Sequence, residues 1–257
     1  MKRKNLGLPS EYKKEPQYFD AWNINETTEF KNSVIEKILK QYHVKTVLDM
    51  TCGTGSQVFF LIKHGYQVTG SDFSPELLKI ARKKASDQNI DVTFIDGDMR
   101  TLKVGQFDAV ITIFNAIGHV TKTGFEKTVK NIYKNLKSGG IYVFDIFNLN
   151  ALPDGPVDFF TLDKTKIVND AKIHNIQHST LDKKHGLLTS INNDTIQIGS
   201  GKPKKSQNKF TLQIYTVTEL TDMLEKTGFE VLKFYDMDGS KFIENKSISI
   251  LMVAQKK

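Results

Sequence analysis

The chain has 257 residues, 39% of them hydrophobic and 25% charged, which is the make-up of a soluble globular protein with one large α/β domain or one domain carrying an insertion. No apolar run reaches the roughly 20 residues of a membrane helix, and the basic start at residues 1–4 is followed by no apolar h-region, so neither a membrane span nor a secretory signal is expected. The formal charge is +7, but the lysines are scattered, and the single cysteine, Cys52, excludes an intramolecular disulfide or a cysteine metal cluster and suits a reducing cytoplasm.

Residues 1–24 are polar, with an aromatic group at Tyr12, Tyr18, Phe19 and Trp22. From about Thr28, the positions Phe30, Val34, Ile35, Ile38, Leu39 and Tyr42 recur at the helical period. Residues 45–50 read as a first strand running into Thr51-Cys52-Gly53-Thr54-Gly55, with a helix over 56–64 and Gly65 at its left-handed C′ position. A second strand over 66–72 again ends in an acid. Ser74-Pro75-Glu76 then starts a helix, with serine as N-cap, proline at N1 and an acid in the first turn. Residues 91–95, 107–114 and 141–146 read as three more strands, with a helix over 125–136 and Gly139-Gly140 after it. The alternation predicts a doubly wound, seven-stranded, mostly parallel sheet with helices on both faces, and a ligand crevice at the carboxyl ends of its strands.

Residues 151–212 break that rhythm. Stretches 164–177, 187–198 and 209–215 have β-type composition, with turns at 182–186 and 199–201, and predict a small two- or three-stranded antiparallel insertion after the fifth strand. The Lys202-Pro203-Lys204-Lys205 cluster reads as an exposed loop; no aromatics interleave with it, so nucleic acid is not an expected partner. Thr216 and Glu219 form a capping box, and 229–235 and 247–254 read as the last strands. The expected organisation is therefore an N-terminal lid over 1–27, an α/β domain over 28–150 and 213–257, and the insertion over 151–212.

Acids end three successive strands or their loops: Asp49, Asp72 and Asp98. An acid about 20 residues past a glycine loop is where a ribose meets a carboxylate. The loop lacks the third glycine of a dinucleotide site, because Val58 stands there, and a pyrophosphate needs that close backbone approach. Beyond the fourth strand, His119 reads as a base or substrate hydrogen-bonding group, or as a loop histidine. Asn115 could orient a substrate or cap a turn. Arg100 could hold a substrate carboxylate or a structural ion pair. Tyr215 could line a pocket or pack in the core.

Residues 47–55, Gly70-Ser71-Asp72-Phe73-Ser74, Asp96-Gly97-Asp98-Met99-Arg100 and Phe107-Asp108-Ala109-Val110, in this order and spacing, resemble the class I S-adenosylmethionine-dependent methyltransferases. The resemblance covers about 28–150 and 216–256. It implies that Thr51, Gly53 and Gly55 would belong to the loop on the methionine moiety, organised by Asp49. Asp72 would hold the ribose hydroxyls. Asp98 and Met99 would read the adenine, and Phe73 would pack on it. Phe114 would line the floor under the sulfonium, and Tyr18 and Trp22 resemble aromatic lid residues. Residues 114–119 and 145–148 look like the small-molecule branch, with an insertion placed as in glycine and amino-sugar N-methyltransferases. The implied activity is in-line methylation of a small molecule at nitrogen. O-methylation, methylation of RNA or protein, and a cofactor-binding regulator without turnover stay open, and a homodimer is compatible with the likeness. No metal is implied.

Overall fold

A computed structural model describes residues 6–257. The basic start at residues 1–4, with its reading as no secretory signal, lies outside the described residues. The helices are α1 (Phe19–Asn23), α2 (Thr28–Gln41), α3 (Ser56–Lys63), α4 (Pro75–Asp87), α5 (Lys122–Asn135) and α6 (Val217–Glu225). The strands are β1 (Thr46–Asp49), β2 (Gln67–Asp72), β3 (Thr93–Asp96), β4 (Phe107–Thr112) and β5 (Leu136–Phe147), then β6 (Gly155–Pro156), β7 (Leu162–Val168), β8 (Ala171–Asp182), β9 (Leu187–Ile198) and β10 (Lys204–Gln213), and finally β11 (Phe229–Tyr235) and β12 (Ser249–Lys256).

Seven strands form one sheet in the order β11-β12-β5-β4-β1-β2-β3. β1 to β5 pair parallel, while β12 pairs antiparallel with both β5 and β11. The order runs outward through β1, β2 and β3 and then returns to β4 and β5 on the other side of β1. This reversal opens a crevice at the strands' carboxyl ends. Alternate side chains feed two cores. Ala109, Ile111, Ile141 and Val143 pack with Ile35 and Leu39 of α2 and Leu61 of α3. Val110, Tyr142 and Phe144 pack with Phe125, Val129 and Ile132 of α5 and Leu220 and Leu224 of α6.

The local start signals act as read. Ser74 Oγ accepts the Leu77 N–H at 3.2 Å, with Pro75 at N1. Thr216 and Glu219 form the reciprocal capping box. Gly65 takes φ +87° after α3.

The insertion is larger than expected. A five-stranded antiparallel sheet runs β10-β9-β8-β6, with β7 also paired to β8. The stretch read as one strand over 164–177 is a hairpin, because Asn169 adopts φ +54° between β7 and β8, a conformation that asparagine tolerates better than most residues. Lys204 and Lys205 are not in a loop. They start β10 at the sheet's edge, where the backbone pairs with β9 while the side chains stay in water. Phe30 faces outward, 51% exposed, because the buried stripe of α2 runs through Thr28, Asn32, Ile35 and Leu39 instead. Among the described residues no helix is long and apolar enough to cross a membrane.

Candidate active site

The chain leaves β1 at Asp49, which is buried, and Met50 N–H still bonds Ile111 of β4 at 3.0 Å. Asp49 Oδ1 accepts the Thr51 N–H at 3.2 Å, and Cys52 N–H reaches Ser71 of β2 at 2.9 Å. The loop then turns through Gly53 at φ +54° and Gly55 at φ +90°, directly before α3. A Cβ on Gly55 would lie 2.7 Å from the Phe59 ring, and one on Gly53 would lie 3.2 Å from Phe19. Both glycines are therefore fixed by backbone conformation and by neighbours.

Asp72 ties this loop to the next. Its Oδ2 accepts the Gly53 N–H at 2.9 Å and its Oδ1 accepts the Ser74 N–H at 2.9 Å. Gly97 N–H then bonds the Asp72 carbonyl at 2.9 Å, bringing the β3 loop alongside. Burial pushes the Asp72 carboxyl up to about 6 and that of Asp49 up to about 7. Asp98 is held below the ordinary carboxylate range by Arg100, whose Nε–H donates at 2.8 Å to Oδ1. Arg100 is thus engaged within its own loop.

On the other side, β4 ends in two consecutive left-handed residues, Phe114 at φ +64° and Asn115 at φ +60°. Such a pair is strained for non-glycine residues. Asp145 at the end of β5 holds it, accepting the Phe114 N–H at 2.5 Å and the Asn115 N–H at 3.3 Å. Burial raises the Asp145 carboxyl to about 6. His119 closes the short turn Ala116–His119, and burial lowers its pKa to about 4, so the ring is neutral at physiological pH. Its Nε2 lies 3.4 Å from the Tyr12 hydroxyl.

The N-terminal segment lies across these loops. Tyr12 stacks on Phe73 with ring centroids 6.1 Å apart, and its carbonyl accepts from Ser74 Oγ at 2.6 Å. Asp20 accepts from Thr54 Oγ1 at 2.6 Å and pairs with Lys84 at 2.6 Å. Further back, Thr211 N–H bonds the Leu6 carbonyl at 2.6 Å, and Asn208 Nδ2 donates to Leu8 at 2.9 Å.

The cavity between these parts measures about 1220 Å³. Asp49, Thr51, Gly53, Asp72, Phe73, Asp98, Met99, Arg100, Phe114, Asn115, His119 and Trp22 line it together. Three expected residues do not. Gly55 lies one position deeper, as the N-cap of α3. Tyr18 packs on Ala171, Ile173 and Ile196 of the second sheet. Tyr215 is fully buried, its ring 5.5 Å from that of Phe125. The sequence reading missed Phe19 and Tyr12 as individual contacts, although it noted their aromatic cluster. It also missed Asp145 as a site group, although an acid at a strand end was the signal that singled out Asp49 and Asp72.

Residues 47–140 match the family described as "Methyltransferase domain". The stretch that holds the glycine loop and the acids at the strand ends is thus a methyltransferase domain, in keeping with the class I S-adenosylmethionine-dependent likeness of its motifs. It is 27% identical over 228 residues to a Geobacillus sp. (strain WCH70) protein named as a methyltransferase, covering 84% of this chain and 83% of that one. It is 25% identical over 257 residues to the glycine N-methyltransferase of Oryctolagus cuniculus, covering 87% and 83% of the two chains. The fold resembles that of S-adenosylmethionine-bound CalS10, an amino pentose methyltransferase from Micromonospora echinaspora, with TM-score 0.75, 18% identity, and coverage of 93% and 96%.

The methyltransferase's own residues fit S-adenosylmethionine. Thr51 Oγ1, the Gln57 amide and Asn115 Oδ1 are buried without a protein partner, and all three residues line the cavity. Asp72 uses two of its roughly four acceptor positions on backbone N–H groups, leaving two for ribose hydroxyls. The cavity also exceeds the 300–1,000 Å³ or so of a single-ligand pocket, which leaves room for an acceptor beside the cofactor.

Proposed function

We propose that this methyltransferase acts on a nitrogen of a small-molecule acceptor. One observation carries the reading: the acceptor side of the site is a narrow recess of about 230 Å³ between the N-terminal segment and the second sheet. A folded RNA or protein surface does not fit such a space, whereas a small amine does. The names of the glycine N-methyltransferase and amino pentose methyltransferase relatives support nitrogen as the acceptor atom.

S-adenosylmethionine supplies a methyl on a sulfonium, already activated for in-line displacement. What this chain contributes is orientation and exclusion of water, which can supply about 7–11 kcal/mol when the reacting atoms are held in near-attack geometry. In this reading Asp72 holds the ribose, Asp98 and Met99 meet the adenine edge, and Phe73 packs on the adenine with Tyr12 stacked behind it. Gly53 and Thr51 approach the methionine end, with Asp49 fixing the loop. Phe114 forms the floor, kept in place by Asp145. His119 is neutral and too weak a base to deprotonate an ammonium at neutral pH. It accepts a hydrogen bond from the acceptor's N–H and so turns the nitrogen lone pair toward the methyl, with Asn115 as its neighbour. Of the lid expected over 1–27, the described residues 6–27 close over the cofactor carried by 28–150 and 213–257, and 151–212 form the far wall for the acceptor.

The test is release of S-adenosylhomocysteine by the purified protein across amine, hydroxyl and carboxyl acceptors, with the methylated product identified by mass spectrometry. Turnover on amines supports the reading. Methyl found only on oxygen, or no turnover with any amine, would sink it.

A further inference from the structure

The recess beyond the cofactor cavity is acidic. Glu11, Glu15 and Asp194 all line it, and among the described residues no lysine or arginine does. Asp194 is buried, and its carboxylate accepts the Asn175 amide at 2.7 Å. The Glu11 carboxylate accepts the Asn23 amide at 3.4 Å and its own backbone N–H. Among the described residues no cation pairs with any of these three carboxylates. In the larger cavity Lys13 sits over the Phe73 ring and Arg100 is held by Asp98.

Two further observations point to a ligand. Asn115 Oδ1 and His119 Nδ1 are buried without a partner, and both residues line the cofactor cavity and the recess alike. The walls are also aromatic, with Trp22 and Tyr12 shared between the two spaces. Aromatic faces beside carboxylates favour a cation. A carboxylate or phosphate on the acceptor would meet like charge in a partly dry space, which is costly.

Resting on the small-amine reading above, we propose that the recess binds a positively charged group of the acceptor, so that the acceptor is a small amine carrying a second, cationic nitrogen rather than an amino acid. One nitrogen must be neutral to attack. The other keeps its proton and sits among Glu11, Glu15 and Asp194. Burial, with Asp194 and Glu15 nearby, raises the Glu11 carboxyl in the free protein. An ammonium in the recess offsets both effects and favours the ionised carboxylates.

The experiment measures steady-state methyl transfer from S-adenosylmethionine to four probes. Putrescine and 2-deoxystreptamine carry two cationic nitrogens, glucosamine carries one, and glycine is zwitterionic. The diamines should be methylated with the lowest KM. Glu11→Gln and Asp194→Asn should each raise the diamine KM roughly tenfold to a hundredfold, the range for losing a hydrogen bond to a charged group, with kcat within about threefold. S-adenosylhomocysteine affinity should be unchanged in both, which also reports that each variant is folded. Should Asp194→Asn fail to fold, the less buried Glu11→Gln carries the comparison. Preferred turnover of glycine, an unchanged diamine KM in the folded variants, or activity confined to glucosamine would each overturn the inference while leaving amine methylation standing. Methyl found only on oxygen, or no turnover of any amine, would remove both together.

Discussion

Replacing Asp72 separates the cost to the fold from the cost to cofactor binding. In Asp72→Ala, the Gly53 and Ser74 N–H groups lose their acceptor. Two buried unsatisfied donors cost about 2–6 kcal/mol. Against this, a carboxyl whose pKa rises from 3.8 to about 6 on burial already costs the folded state about 3 kcal/mol at neutral pH, and the alanine removes that penalty. The two effects offset, so the variant should remain folded, with a modest loss of stability. Cofactor binding has no such compensation. Two ribose hydrogen bonds to an ionised acceptor are worth about 3–6 kcal/mol, or roughly a hundredfold to ten-thousandfold in Kd. Isothermal titration with S-adenosylhomocysteine measures this, and thermal unfolding in the same buffer checks the fold. An affinity within about tenfold of the parent, in a cooperatively folding variant, would refute both the ribose assignment and the reasoning from Asp72 geometry.

Four other outcomes follow from the same structure. Asp145→Ala removes the acceptor of the Phe114 and Asn115 N–H groups and frees a strained left-handed pair, but it also removes a buried carboxyl raised to about 6, so it should lower kcat with only a modest loss of stability; denaturant unfolding and single-turnover rates distinguish the two. Asp49, Asp72 and Asp145 have folded pKa values of about 7, 6 and 6, above the ordinary 3.8, so the folded state binds protons more readily; stability should rise as pH falls from about 7 toward 4, while cofactor affinity falls over the same window as Asp72 is protonated, and melts and titrations run in parallel should show these opposite slopes. Because His119 stays neutral down to about 4, His119→Ala should lower kcat/KM by about tenfold without moving the acidic limb of its pH profile; a limb near 6.5 that disappears in the variant would contradict a positioning role. Cys52 is buried and its thiol is pushed up by that burial, so the native protein should resist thiol reagents until it unfolds, as a timed labelling assay would show.

The cofactor half was readable because its signals are local. A strand ending in Asp49, glycines with positive φ, and the serine cap before Pro75 are each decided within a few residues, and the alternation of strand and helix then fixes where the strand ends meet. The acceptor half depends on contacts that cross long stretches of sequence. Tyr12 meets Phe73 and His119 only because the N-terminal segment folds back over both sheets. Glu11 and Asp194 come from the N-terminal segment and from β9, far apart in the chain, with no periodicity linking them. The turn at Asn169-Asp170 carries no glycine or proline to mark it within a run of β-type composition, so the split into β7 and β8 shows only in the pairing register. Phe30 illustrates the opposite failure: it fits the helical period, but Asn32, which donates to Ser56 Oγ at 3.3 Å, takes the buried place instead.

The N-terminal segment sits at the low end of the molecule's stability. The turn Ser10–Tyr12 and helix α1 bury no residue, and the turn Pro16–Tyr18 buries Tyr18 alone. It is held mainly by scattered polar bonds to Ser74, Thr54, Lys84, Thr211 and Asn208. A unit with so little apolar anchorage opens at a small fraction of the global unfolding free energy. In a hydrogen-exchange experiment its amides should exchange early, and slow when cofactor and acceptor are both present, while the strands beneath stay protected. Residues 6–24 would then be the part of the enzyme that trades order for access on every turnover.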